Sequence, residues 1–480
     1  MALATQVSGG QAPDDAGAPP IQIVLHPARE PRPALKYQLL PPFLDRRPGN
    51  AAVHYLKVPH EQTGLFGNGE FWDTICKWIE MPLRELRNEK DKDGGKHTWI
   101  ARSSRGIIEN LDRSARCESC DWDLPVRERE FYTILLPEVQ SARASARILA
   151  ARARLQIADG KYDDAVQTLQ TGYALARHVA QGPCIVQGLV GAALAGMMSK
   201  QVETLIQQPG APNLYWALAS LPRPMIDLRL AFEAEMATVY LSYPELRDLD
   251  KKNYPPEYWR QLWDQTAEKV WRIQQDCSGK NAKVNSPTDK ERLQMLTAAI
   301  EAYPRAKRSL IAERHSVAKV EAMPVHQVML LHTMRTFEEL RDDLFKWRWM
   351  PFAEVHKHIE RADRQWKISL GSAHEIIPLA STFLPAITTA KSAEARTDRD
   401  LAALQILEAI RLYGAAHDGP LPAGLAEIIE VPIPPDPCRG EPFLYRREGD
   451  TAILESPFPG HPPEYTLRYQ IRLDREGEKP

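Results

Sequence analysis

The stretch Leu149 to Ala180, LAARARLQIADGKYDDAVQTLQTGYALARHVA, constrains the fold more than any other part of this 480-residue chain. Leu149, Ala153 and Ile157 recur at steps of four. Val166, Leu169, Gly172, Leu175 and Ala176 recur at steps of three and one. Each half therefore presents one apolar helical face. Asp159-Gly160 parts the halves, and glycine tolerates the left-handed backbone on which helices commonly end. The spacing predicts two amphipathic helices joined by a tight turn.

Gly160-Lys161-Tyr162 and the small residues Ala153, Ala165 and Gly172 resemble the tetratricopeptide helical hairpin, whose helices approach closely at such positions. No second clean 34-residue copy follows, and a solenoid needs at least about three. The expected fold is therefore mostly α: an irregular α-α hairpin array with one tetratricopeptide-like pair and a small C-terminal β hairpin. Gly188, Ala192 and Gly196 at i, i+4 and i+8 predict a strip for close helix crossing in the next helix.

Prolines number 39 and glycines 26, which favours helices punctuated by rigid corners over loose linkers. Phe71, Trp72, Ile75, Trp78 and Ile79 share a helical face. Pro324 and Pro351 bound what reads as the longest helix, with the seam Leu330, Met334, Phe337, Leu340, Leu344 and Trp347. Ser286 and Pro287 read as the N-cap and first residue of the helix before it. Beyond Leu421 the pattern turns β-prone, with PFLYRR and TAILE as hairpin arms around Glu448-Gly449-Asp450. Four regions are expected: a disordered leader at 1–34, a helical region at 35–140, the hairpin array at 141–392, and a helix with a β tail at 393–480.

The 61 basic and 63 acidic residues nearly cancel, so no global field draws the chain to nucleic acid or anionic membrane. No apolar run reaches the roughly 18 residues of a membrane span. No phosphate loop, dinucleotide fingerprint or nucleophile elbow is present, and no cofactor or catalytic residue is assigned. The N-terminus lacks a basic n-region and an apolar h-region, so a cytoplasmic location is expected. Ala2-Leu3-Ala4 has the A-x-A form of a processing site; an upstream start would make the protein exported or periplasmic.

Six cysteines are too few for a disulfide scaffold. Cys117 and Cys120 form a lone C-x-x-C in what reads as a helix end and loop, without the second pair zinc requires. It is read as structural, or as a disulfide if the chain is exported. Next to it, Asp121-Trp122-Asp123 is a candidate recognition patch; the alternative is a core tryptophan between capping acids. His356, His358 and Glu360 place only two potential ligands on one helical face, so no metal is expected. Glu338, Glu339, Asp342 and Asp343 read as a solvated face, with Lys346 four residues from Asp342.

Two resemblances extend the reading. ALQILEAIRLYGAAHDGPLPAGLAEIIEVPIPPDPCRGEPFLYRREGD, at about 401–450, is similar to the soluble end of type II secretion major pseudopilins. They share its helix, H-x-G-x-L-P step, D-P turn and Y-R-x-x-G-D hairpin. That likeness implies a calcium-binding role for nearby acids, with Asp436 and Asp450 matching the general shape; the residues themselves read as a turned corner. LKYQLLPPFLDRRPGNAAVHYLK, CDWDLP, LQTGYALARHVAQGP, QQPGAPNLYWALASLPRP and FEELRDDLFKW resemble a set of uncharacterised planctomycete bacterial proteins. That resemblance implies export and an architecture, but no activity.

Function is thus expected to be scaffolding through a bound protein or peptide partner, with envelope association one option. The alternative is a hydrolase-type enzyme whose carboxylates, among Asp121, Asp123, Glu338 and Asp342, meet in an inter-helix cleft. A purely structural envelope component is the third reading.

Overall fold

The computed structural model describes residues 19–61, 67–89, 104–127, 131, 134–277, 288–312, 316–371, 377–383 and 387–474. Ala2-Leu3-Ala4 and the Ser286-Pro287 cap lie outside them. The chain enters through strand β1 (Ile21–Leu25), followed by β2 (Arg47–Asn50). The helices that carry the architecture begin with α1 (Gly69–Glu80), the helix its apolar spacing predicts, capped by Asn68, whose side chain accepts from the Phe71 N–H at 3.2 Å. Then come α2 (Arg105–Ala115), the short strand β3 (Cys117–Ser119), α3 (Pro137–Ala158), α4 (Tyr162–Ala180) and α5 (Ile185–Ile206). Next are α6 (Arg229–Ser242), α7 (Pro256–Cys277), α8 (Asp289–Ala312), α9 (Val325–Phe345), α10 (Phe352–Gly371) and α11 (Ile387–Ala416). Strands β4 (Leu444–Glu448), β5 (Thr451–Ser456) and β6 (Leu467–Leu473) close the chain. The fold is mostly helical with a small β element, as expected; α11, not the helix between Pro324 and Pro351, is the longest at 30 residues.

The predicted hairpin α3–α4 forms, with Gly160 at φ +74° in the left-handed turn. Its faces bury Leu149, Ala153, Ile157, Val166 and Leu169. Helix α5 packs along α4 on one side and α11 on the other. The small-residue strip works differently from its spacing. A Cβ on Gly191 would lie 2.7 Å from both the Ala176 carbonyl oxygen and the Ala180 Cβ, so the close approach of helix backbones falls there. Gly188 instead admits Leu228, and Gly196 faces open space. An i, i+4, i+8 rule marks one helical stripe; which stripe meets the neighbour depends on the crossing angle.

Two corrections concern the chain's ends. Ile21–Leu25, assigned to the disordered leader, pairs in parallel with β6, Ile21 opposite Tyr469 and Leu25 opposite Leu473. The sheet order is β1-β6-β5-β4. IQIVL buries Ile23 and Leu25 in the period-two pattern of a strand, but parallel partners far apart in sequence leave no local signal. The boundaries drawn at 140 and 392 fall inside α3 and α11. One continuous buried cluster runs from Ile23 to Leu473. Arg411, wholly buried on α11, ties these parts together. It donates to the carbonyls of His26 (2.9 Å), Ala211 (2.7 Å) and Pro212 (3.2 Å) and to Glu408 (2.8 Å). No helix among the described residues is long and apolar enough to cross a membrane.

Candidate functional site

The predicted recognition patch resolves into a core anchor. Trp122 is buried, stacks on Tyr55 with ring centroids 5.7 Å apart, and donates its indole N–H to the His178 carbonyl at 2.9 Å. Asp121 and Asp123 stay exposed, but the Asp121 carboxylate accepts from the Asp123 N–H at 2.9 Å. Asn50 clasps the Asp121 main chain from both sides. Asp123 adopts φ +49°, so the acids shape a turn rather than cap a helix. His178 accompanies this cluster, its Nδ1 3.0 Å from the Tyr55 hydroxyl, and burial lowers its pKa to about 4. It is a neutral core histidine.

The cysteine pair is also placed differently. Cys117 begins β3, which pairs in parallel with β2, so the segment is a strand and not a loop. Three extended residue steps separate Cys117 from Cys120 by roughly 10 Å between Cα atoms, beyond the ~7 Å reach of a disulfide. Both are free thiols, and burial pushes both up in pKa. The disulfide left open for an exported chain is not formed, and neither thiol is activated.

The acids of α9 do not converge with Asp121 and Asp123. Glu338 accepts from the Tyr240 hydroxyl, Asp342 pairs with Arg341 at 2.8 Å, and Lys346 pairs with Asp343 at 2.6 Å rather than with Asp342. His356 stacks on Phe352 and His358 on Trp347. Among the described residues no three His, Cys, Asp or Glu side chains gather to hold a metal. At the corner formed by Asp436–Gly440, the buried Asp436 carboxylate accepts from the Cys438 N–H at 2.8 Å and the Ser456 hydroxyl at 2.7 Å. Asp450 sits at the exposed hairpin tip. The stretch turns a corner.

A different set of residues does converge. A cleft of 620 Å³ opens between the loop leading into α6, the α9–α10 corner, the first turns of α11 and the Asp436–Gly440 turn. Its apolar lining includes Pro224, Trp349, Met350, Phe352 and Ala395. Phe352 and Ala395 belong to a small buried cluster with Cys438 and Phe458 that supports the floor. Cys438 donates its thiol to the Ala395 carbonyl at 3.5 Å, seating the turn on α11. Trp349 and Met350 remain 52% and 40% exposed.

The charges of the cleft are mostly matched. On α11, steps of three and four put Lys391, Glu394 and Asp398 on one stripe. Lys391 and Glu394 form a buried ion pair, and Lys391 also donates to the Arg348 carbonyl at 3.3 Å. Asp398 accepts from the Met225 N–H at 2.8 Å, with Arg223 3.9 Å away. Arg229 grips Asp227 through Nε at 2.9 Å to each oxygen, which lowers the Asp227 pKa. Burial raises the pKa of both Glu394 and Asp398, overriding Lys391 for the first and the Met225 hydrogen bond for the second. The cleft can hold a ligand of mixed apolar and polar character; its carboxylates, apart from the exposed Glu354, are engaged.

The sequence marks Pro351 as a helix end and the Asp436–Gly440 turn as a corner, but its pattern does not single out Arg348, Trp349, Met350, Lys391, Glu394 or Asp398. The available signal was the Lys391-Glu394-Asp398 stripe within a helix otherwise rich in alanine and leucine. Its partners come from segments some 40 to 175 residues away. No protein family, curated protein or solved structure matches the chain.

Proposed function

We propose that the chain is a helical binding protein that holds an extended segment of another protein in the cleft between α6, the α9–α10 corner and α11. The observation that carries this reading is the exposure of Trp349 and Met350 on the wall of a cleft most of whose carboxylates already have partners. A large aromatic ring and a flexible thioether side by side are the groups that anchor peptides at low entropic cost. The volume falls in the ligand-sized range of about 300–1,000 Å³. Selection of a displayed random peptide library on the full chain tests the reading. Enriched peptides should bind the wild type and lose at least tenfold on W349A/M350A. If no peptide is enriched, or if the double variant binds equally well, the cleft is not a peptide site.

A second reading rests on Glu394 and Asp398, buried carboxylates one helical turn apart with raised pKa values, which is the raw material of acid–base hydrolysis. It ranks below binding because Lys391, Arg223 and the Met225 N–H occupy the lone pairs that chemistry would need. Hydrolysis of a generic ester, glycoside or peptide substrate that disappears in both E394Q and D398N would reverse that order.

A further inference from the structure

We infer that the segment held in the cleft carries an acidic side chain, received by Arg348; this rests on the peptide-binding reading above. Three of the four cations lining the cleft face carboxylates: Arg223 faces Asp398, Arg229 faces Asp227 and Lys391 faces Glu394. Arg348 has no carboxylate within ion-pairing distance among the described residues. Its guanidinium lies over the Trp349 ring, 4.1 Å from the centroid. One terminal nitrogen reaches the Met236 sulfur, and Nε has no hydrogen-bond partner. Glu233 and Asp342 pull on it only electrostatically, and burial lowers its pKa without neutralising it.

A guanidinium stacked on an aromatic ring is held in a fixed plane and keeps donors along its edge, the arrangement that recognises a carboxylate. Here the aromatic partner is one of the two exposed anchors, so an acidic residue at Arg348 places its neighbour on Trp349 or Met350. The countervailing charge is Glu354, which lines the cleft from its exposed rim. Water screens a rim carboxylate, whereas Arg348 is half-buried, so the attraction to an acid dominates. Asp436, the remaining lining carboxylate, is spent on Cys438 and Ser456. The pattern expected is Asp or Glu beside an apolar residue or proline.

The test uses the peptide most enriched by display, synthesised with a fluorescent label, beside a twin in which the acid is replaced by its amide. Fluorescence anisotropy should show the acidic form binding about 10- to 100-fold tighter, as one charge-assisted contact provides. The preference should vanish in R348Q, survive in part in R348K, and shrink between 0.05 and 0.5 M NaCl. Thermal midpoints of both variants confirm folding. If acid and amide bind equally while W349A/M350A still abolishes both, the assignment of Arg348 is overturned and the peptide site stands. If the acid preference persists in R348Q, the receptor is another group. If neither peptide binds, both readings fall.

Discussion

Replacing Arg411 by methionine tests how the N-terminal strand, the 211–214 loop and α11 are held together. The side chain is wholly buried and serves four acceptors: the carbonyls of His26, Ala211 and Pro212, and the Glu408 carboxylate at 2.8 Å. Removing it leaves Glu408, also wholly buried, with the Leu214 N–H at 3.0 Å as its remaining donor. Breaking one side of a buried ion pair costs about 3–5 kcal/mol, because the orphaned charge keeps its desolvation penalty. Unfolding entropy of about 2.1 cal/mol/K per residue amounts to roughly 1 kcal/mol/K for a chain of this length unfolding as a unit. R411M should therefore lower the thermal midpoint by about 3–5 °C by circular dichroism. Adding E408Q removes the charge while keeping an acceptor for Leu214, and should restore at least about 1 °C. A midpoint drop under 1 °C would show the pair to be incidental. A double variant as unstable as R411M would locate the cost in the three stranded carbonyls instead.

Three further outcomes follow from the packing and the titrating groups. G191A should destabilise by about 1–3 kcal/mol, since its Cβ meets backbone at Ala176, while G196A on the same helix should be neutral or gain up to about 1 kcal/mol; urea midpoints with equal slopes decide this. Glu235, whose pKa burial raises to about 7 despite the Ile185 N–H bond, is near 4.3 when unfolded. Its contribution is complete below about pH 4 and is lost as pH rises through about 7, so stability should fall between about pH 4 and 7, and E235Q should flatten that slope. In native protein a thiol reagent should label the exposed Cys76 first, and Cys117, Cys184 and Cys438 only on denaturation, with no mass loss from a Cys117–Cys120 disulfide; prompt labelling of the buried three would contradict their placement.

The apolar periodicities of Leu149–Ala180 and of the segments around Phe71 and Leu330 determined by themselves that these stretches are helices. Gly160 marked the turn because its effect acts over a few residues. The β4–β5 hairpin was legible for the same reason: its register, Glu448 opposite Thr451, follows from its tip. Only the tertiary structure decided what depends on distant partners. It made a strand of Ile21–Leu25 by supplying β6, turned Trp122 inward onto Tyr55 and His178, and chose Gly191 over Gly188 and Gly196 as the point where helix backbones meet. It also built the cleft. Lys391, Glu394 and Asp398 look like an ordinary solvated stripe until Met225, Arg223 and the Arg348 carbonyl arrive from distant segments to desolvate and pair them. A charge's local sequence shows where on a helix it stands, whereas its energy depends on how much water and which opposite charges the rest of the fold leaves beside it.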